Sequence, residues 1–227
     1  MKKVTNLLLI SILIITSCGV PKHIRNDFAV PYNGNDIVHD SVFNTKGCYI
    51  VPVIEPNDTD TGYLHYIFFT DGLFVTISTP DPNYSVKVLN EIASDSTGWF
   101  KRSFYVGYSW GKYKIKGNVI IAQSINHPCP PKVWSASEKR FLILDTNKIV
   151  LLSSKVLGRY PKYDMERWEK RKKSIKYLPS VFVQVPYIPE SNSWILKYKW
   201  FWTDENKYKA YMKKLKAEKR SKKNINN

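Results

Sequence analysis

Three cysteines and four histidines are the side chains in this 227-residue sequence best suited to do chemistry. A cysteine attacks as its thiolate, which requires a base or a cation beside it. Cys129 has one such neighbour, in His127-Pro128-Cys129-Pro130-Pro131, but the prolines make that stretch a rigid turn rather than an assembled dyad. His23, His39, His65 and His127 fall at no metal-ligand spacing, and no His-Glu-x-x-His occurs. There is no Gly-x-Ser-x-Gly, no glycine-rich phosphate loop and no paired-carboxylate motif. Acidic residues stand singly at turns, as Asp71, Asp81 and Asp145 do. The sequence thus names no catalytic residue, no metal ligand and no cofactor. The expected protein is not an enzyme, with an envelope enzyme whose site is invisible in sequence as an alternative.

Cys18 is different, because its neighbours explain it. Met1-Lys2-Lys3 is followed by an apolar run from Val4 to Ile15, then by Ile15-Thr16-Ser17-Cys18-Gly19. A short basic region before a short apolar stretch is the pattern of an export signal, and the run is too short for a spanning helix. Together these residues resemble the signal peptide and lipobox of bacterial lipoproteins; the resemblance covers residues 1–19 and no more. It implies removal of residues 1–17, attachment of diacylglycerol (palmitate) to Cys18, and acylation of the new amino terminus. Each buried CH₂ contributes about 0.8 kcal/mol, so two or three chains anchor stably where one does not. Gly19, rather than aspartate, implies the outer membrane by that family's sorting rule, with the protein facing the periplasm.

That compartment bears on the other residues. Export removes the protein from nucleic acid, despite 35 Lys+Arg against 19 Asp+Glu and a net charge of +16. An oxidising compartment makes Cys48 and Cys129 a candidate disulfide, which over 81 residues would stabilise by roughly 4.5 kcal/mol. Asp40-Ser41-Val42 and Asp95-Ser96-Thr97 resemble the short acceptor motif of a bacterial O-glycosylation system, which implies Ser41 and Ser96 as candidate modification sites.

The elements that would position these residues are mainly strands. Residues 18–45 are rich in Gly, Pro, Asn and Asp and lack periodicity, so they are expected as a flexible tether. From Cys48, short β-branched and aromatic runs alternate with turns. Asp71-Gly72 predicts a two-residue hairpin pairing Phe69 with Phe74, with Leu64, Tyr66, Phe68, Val75 and Ile77 on the core face and His65 on the polar one. Gly117-Asn118 predicts a second, with Tyr113, Ile115, Ile120 and Ala122 on one face and Lys112, Lys114 and Lys116 on the other. A third surrounds Thr146-Asn147. A helix is expected near 86–93, strands at 103–109, 181–185 and 194–200, and a charged helix at 163–173. The predicted architecture is an antiparallel meander of about eight strands over 46–202, forming a small barrel or sandwich, with α+β as the alternative.

Tyr208, Tyr211, Met212 and Leu215 stripe a basic amphipathic helix within 203–227 that loses its apolar face and frays beyond Leu215. It is a candidate contact for anionic lipid or peptidoglycan. The seven tryptophans are expected to fill a β core; a lipocalin-like carrier of a hydrophobic molecule is the alternative. Segments 155–176 (9 basic, 3 acidic) and 197–227 (11 basic, 3 acidic) hold all the excess charge beyond Lys2 and Lys3.

Overall fold

The computed structural model describes residues 20–34, 42–54, 62–126, 134–158 and 176–225. Nine antiparallel strands form one sheet in a nearly closed barrel: β1 (Gly47–Ile54), β2 (Gly62–Phe68), β3 (Leu73–Thr79), β4 (Ser109–Lys116), β5 (Val119–Ile125), β6 (Ala136–Asp145), β7 (Lys148–Leu157), β8 (Lys176–Tyr177) and β9 (Val181–Gln184). Strands β1 to β7 run as a meander, and β8 and β9 pair in turn with the free edge of β1. Ser180, between them, closes the circle. Its amide donates to Ile149 O on β7 (2.8 Å), and Ile149 N donates to its hydroxyl (2.9 Å). Closure satisfies edge groups that would otherwise template aggregation. Among the described residues no helix is long and apolar enough to cross a membrane.

The barrel holds one core inside and a second against part of its outside, while the outer face of β6 and β7 is exposed at Arg140, Leu144 and Leu152. Inside, Phe43, Tyr49, Phe68, Phe74, Tyr113, Ile120, Phe141 and Ile149 pack at 0–1% exposure. Phe43, from the lead-in to β1, plugs one end edge-on against Phe68 (5.3 Å). Tyr49 seals that end by donating to Asn44 O and Thr146 O. Outside, a second core forms on Cys48, Ile50, Ile67, Leu73, Val75, Trp110 and Ile125. It is covered by α1 (Lys22–Asp27), α2 (Tyr84–Ser94), α3 (Trp99–Gly107) and two short 3₁₀ turns, Trp194–Lys197 and Lys199–Phe201. The chain ends in α4 (Glu205–Ile225).

Several expectations are corrected. The β2–β3 loop has three residues, because Phe69 N bonds Leu73 O and Gly72 adopts φ 88°. The extra residue shifts the register to Phe68↔Phe74 and Tyr66↔Thr76. Phe74 therefore enters the barrel, and Val75 and Ile77 turn outward. His65 faces the outer core, fully buried. The β4–β5 register is as expected (Tyr113↔Ala122), but Lys112 is 4% exposed. Its Nζ lies between the Phe28 and Phe201 rings, 5.1 and 4.9 Å from their centroids, and reaches Phe201 O at 3.4 Å.

Residues 103–109, expected as a strand, are mostly helix. Asp95 accepts bonds from the amides of Thr97, Gly98, Phe100 and Lys101, capping α3 in a way that overrides the β propensity of its aromatics. The expected 194–200 strand is the pair of 3₁₀ turns. Residues 20–34 are not a free tether: Val20, Ile24, Phe28, Val30 and Tyr32 are all buried on the outer face. Helix α4 continues to Ile225 instead of fraying at Leu215, supported by Lys209–Glu205 and Lys214–Glu218 pairs one turn apart. The expected 163–173 helix lies outside the described residues.

Candidate ligand cleft

At the β2–β3 turn, one half-buried carboxylate joins two grooves. Asp71 Oδ1 accepts from Leu73 N (3.1 Å), a bond that shapes the turn itself. Its Oδ2 accepts from the Tyr32 hydroxyl (3.3 Å) and from Ser191. One groove, of about 430 Å³, runs between residues 32–34 and α4; the other, of about 580 Å³, runs toward Lys46 and Pro186. Asp71, Glu190 and Ser191 line both.

Aromatic rings wall the first groove. Trp202 packs on Tyr211 (5.4 Å, 37°) and edge-on to Tyr32 (5.0 Å). Gly34 makes room for that indole: its φ is +72°, and a Cβ there would lie 2.9 Å from Trp202 Cζ3. Thr203 N donates to Tyr32 O, and Tyr32 N donates to Thr203 Oγ1, which ties the two ends of the chain together beneath the groove. Tyr211 donates to Asn192 Oδ1 (2.7 Å) and Tyr105 to Glu190 O (2.6 Å), fixing the 190–192 loop from both sides. Lys207, Lys214 and Glu218 of α4 complete the wall.

Burial raises the Asp71 pKa above its ordinary 3.8, against the lowering effect of its hydrogen bonds to Ser191, Leu73 and Tyr32. A raised carboxyl pKa makes the fold bind the proton more tightly than the unfolded chain does. Its stabilisation is complete below the unfolded value and is lost as pH rises through the folded one. The Asp71→Asn variant should therefore gain on wild type as pH rises from about 4 to 7, read by urea denaturation at each pH. A constant difference across that range would contradict this environment for Asp71.

The residues singled out from sequence do not converge. Cys18, His39, Ser41, His127 and Cys129 lie outside the described residues. Cys48 is a free thiol, 0% exposed, with Sγ 4.0 Å from His65 Nδ1; Cys129, its expected disulfide partner, lies outside the described residues. Desolvation pushes the thiol pKa up to about 12 and the His65 pKa down. Both are thus held neutral, the opposite of an activated thiolate–imidazolium pair. In a Cys18→Ala, Cys129→Ala background Cys48 should resist a thiol reagent until the protein is unfolded; rapid labelling of the native state would refute its burial. Ser96 is exposed within the turn that caps α3. His23 is exposed on α1. Among the described residues no three of His, Cys, Asp and Glu are grouped to hold a metal.

Sequence reasoning missed most of the cleft. Asp71 reads as a turn residue, Tyr32 and Gly34 read as tether, and Trp202 reads as a strand position. Nothing local marks them, because they meet only through chain-end packing. The chain matches no protein-family model, no curated protein and no solved structure.

Proposed function

We propose that this protein is a lipid-anchored component of the cell envelope, acylated at Cys18 and held at the outer membrane on its periplasmic side. Its barrel domain is a non-enzymatic binding module, and the Asp71 cleft is its ligand groove. The observation that carries the anchoring is the junction of sequence and fold. The lipobox-like run ends at Cys18, and Val20 and Ile24 are already buried on the barrel at 4% and 1% exposure. Two residues span roughly 7 Å, so acylation at Cys18 would hold the domain against the bilayer instead of suspending it on a tether.

The cleft chemistry favours a polar ligand with one apolar face. Trp202 and Tyr211 offer stacking surface, while Asp71, Asn192, Ser191 and Lys214 offer hydrogen-bonding groups around it. Sugars of a peptidoglycan strand have that character. The basic residues of α4 beside the groove suit the carboxylates of its peptides. The barrel interior is filled by aromatic side chains, which does not support a carrier of a large hydrophobic molecule.

Two measurements test the reading. Labelled palmitate should enter wild type and not Cys18→Ala, and the variant should leave the membrane fraction; retention of label or location would end the anchoring proposal. Purified Cys18→Ala protein should co-sediment with peptidoglycan sacculi, and Tyr211→Ala should reduce this severalfold. Absence of co-sedimentation in the parent protein would remove the ligand assignment while leaving the anchor.

A further inference from the structure

The barrel interior changes character along its length. At the end near the Thr146–Asn147 turn, the inward positions of β5, β6 and β7 are Ile120, Phe141, Ile149 and Leu151. Toward the other end the same strands turn Ser124, Ser137, Lys139 and Ser154 inward. Lys139 pairs with Ala122 on one side and Ser154 on the other, and Ser137 pairs with Ser124. This stretch of wall presents an ammonium group and hydroxyls.

Among the described residues the ammonium has no counter-charge. Lys139 Nζ lies 5.8 Å from the centroid of the Tyr66 ring and donates one bond, to Ser137 Oγ at 3.3 Å. Among the described residues no carboxylate is within ion-pair distance of it. The adjacent Glu138 points to the outer face, where it binds Arg140 and Gln123. Beneath the ammonium, the Tyr66 hydroxyl is wholly buried and makes no hydrogen bond of normal geometry. Thr76, opposite Tyr66, and Ser124, 3.4 Å from Ser137, are also buried. An unpaired cation and an unsatisfied hydroxyl in a closed barrel each cost free energy unless a partner completes them.

Every group named here can donate a hydrogen bond, and none carries negative charge. A ligand that completes them must bring acceptors and a negative charge. We propose that the serine-lined end of the barrel, around Lys139 and Tyr66, binds a small oxyanion, such as a phosphate or carboxylate group. Lys139 supplies the charge, Tyr66 the deepest donor, and Ser137 with its neighbours the rim. Charge-assisted bonds of this kind are the strongest available to such a set. Desolvation draws the Lys139 pKa down to about 8, as befits a cation lacking an anionic neighbour. Size is limited from below. Phe68 and Phe141 pack around the Tyr66 ring (6.3 and 4.8 Å), so the anion is a headgroup or free ion and nothing larger continues inward. Lys139 as a whole residue is half-buried.

The test titrates the purified full chain in detergent with inorganic phosphate, sulfate and acetate against chloride at constant ionic strength, read by calorimetry and by thermal shift. Phosphate or acetate should bind with one site and raise Tm, and the stronger of the two identifies the headgroup class. Lys139→Met should retain the fold, because a thioether of similar length removes a desolvated charge, and should lower affinity about tenfold or more. Tyr66→Phe, which removes only the unsatisfied hydroxyl, should weaken binding severalfold and serves if Lys139→Met fails to fold. Absence of oxyanion binding at millimolar concentration, or binding that both variants leave unchanged, overturns the proposal. Neither outcome depends on lipidation or on the Asp71 cleft.

Discussion

A chain that begins at residue 35 should fail to fold into a stable soluble domain, and Ile24→Ala and Phe28→Ala should each cost about 2–5 kcal/mol in chemical denaturation. Five side chains between Val20 and Tyr32 are buried at 1–6% exposure, and all but Val30 belong to the outer core. The backbone is tied as well. Val30 N donates to Gln123 Oε1 at 2.8 Å, and Gln123 Nε2 returns a bond to Asp27 O. Farther on, Tyr32 exchanges two bonds with Thr203. Losing the segment would also strip Phe28 from Lys112, leaving that buried ammonium half-unwrapped. A truncated protein with an unchanged Tm would mean that residues 20–34 are a tether after all. Under the proposed acylation of Cys18, this segment, which closely follows it in sequence, would transmit the position of the anchor to the barrel.

Gly111→Ala should leave no folded protein in the soluble fraction, whereas Gly62→Ala should change stability by no more than about 0.5 kcal/mol. Gly111 faces the barrel interior between Phe74 on β3 and Ser124 on β5. A Cβ there would sit 1.9 Å from Gln123 O and 2.7 Å from Phe74 Cε1. The first obstacle is the backbone of the paired strand, which cannot retreat without breaking the ladder, and the second is a ring fixed in the core. A cost above about 5 kcal/mol consumes the stability of an ordinary domain. At Gly62 nothing lies within 4 Å of such a Cβ. Circular dichroism and gel filtration of the two variants decide the matter; a native-like Gly111→Ala would show that the strands can separate there.

The meander was legible wherever side chains alternate around a strong turn. Gly117-Asn118 sets its hairpin and register as read, and Thr146-Asn147 turns a hairpin whose register shifts beside the turn, between Ile143 and Asp145, and again between Arg140 and Phe141. Asp71-Gly72 has the same local signal, yet the Asp71 carboxylate caps Leu73 N and the loop takes one more residue. That bond is itself part of the cleft, so the misread turn and the missed site have one cause. The Trp200-Phe201-Trp202 run likewise satisfies an alternating pattern, but its rings are used on three sides at once, against Phe28, Tyr32 and Tyr211.

By itself, the sequence determined the mainly β class, the strand meander, the helical carboxyl terminus and the concentration of positive charge in two late segments. These depend on periodicity and composition, which are local. Tertiary structure alone decided which of two apolar faces is inside the barrel and which lies under the helices, because alternation is the same for both when both are buried. It also decided that Ser180 closes the ring, that residues 20–34 are packed, that Cys48 is a fully buried thiol, and that no described carboxylate pairs with Lys139. Each depends on contacts between positions tens of residues apart, and no local propensity encodes them.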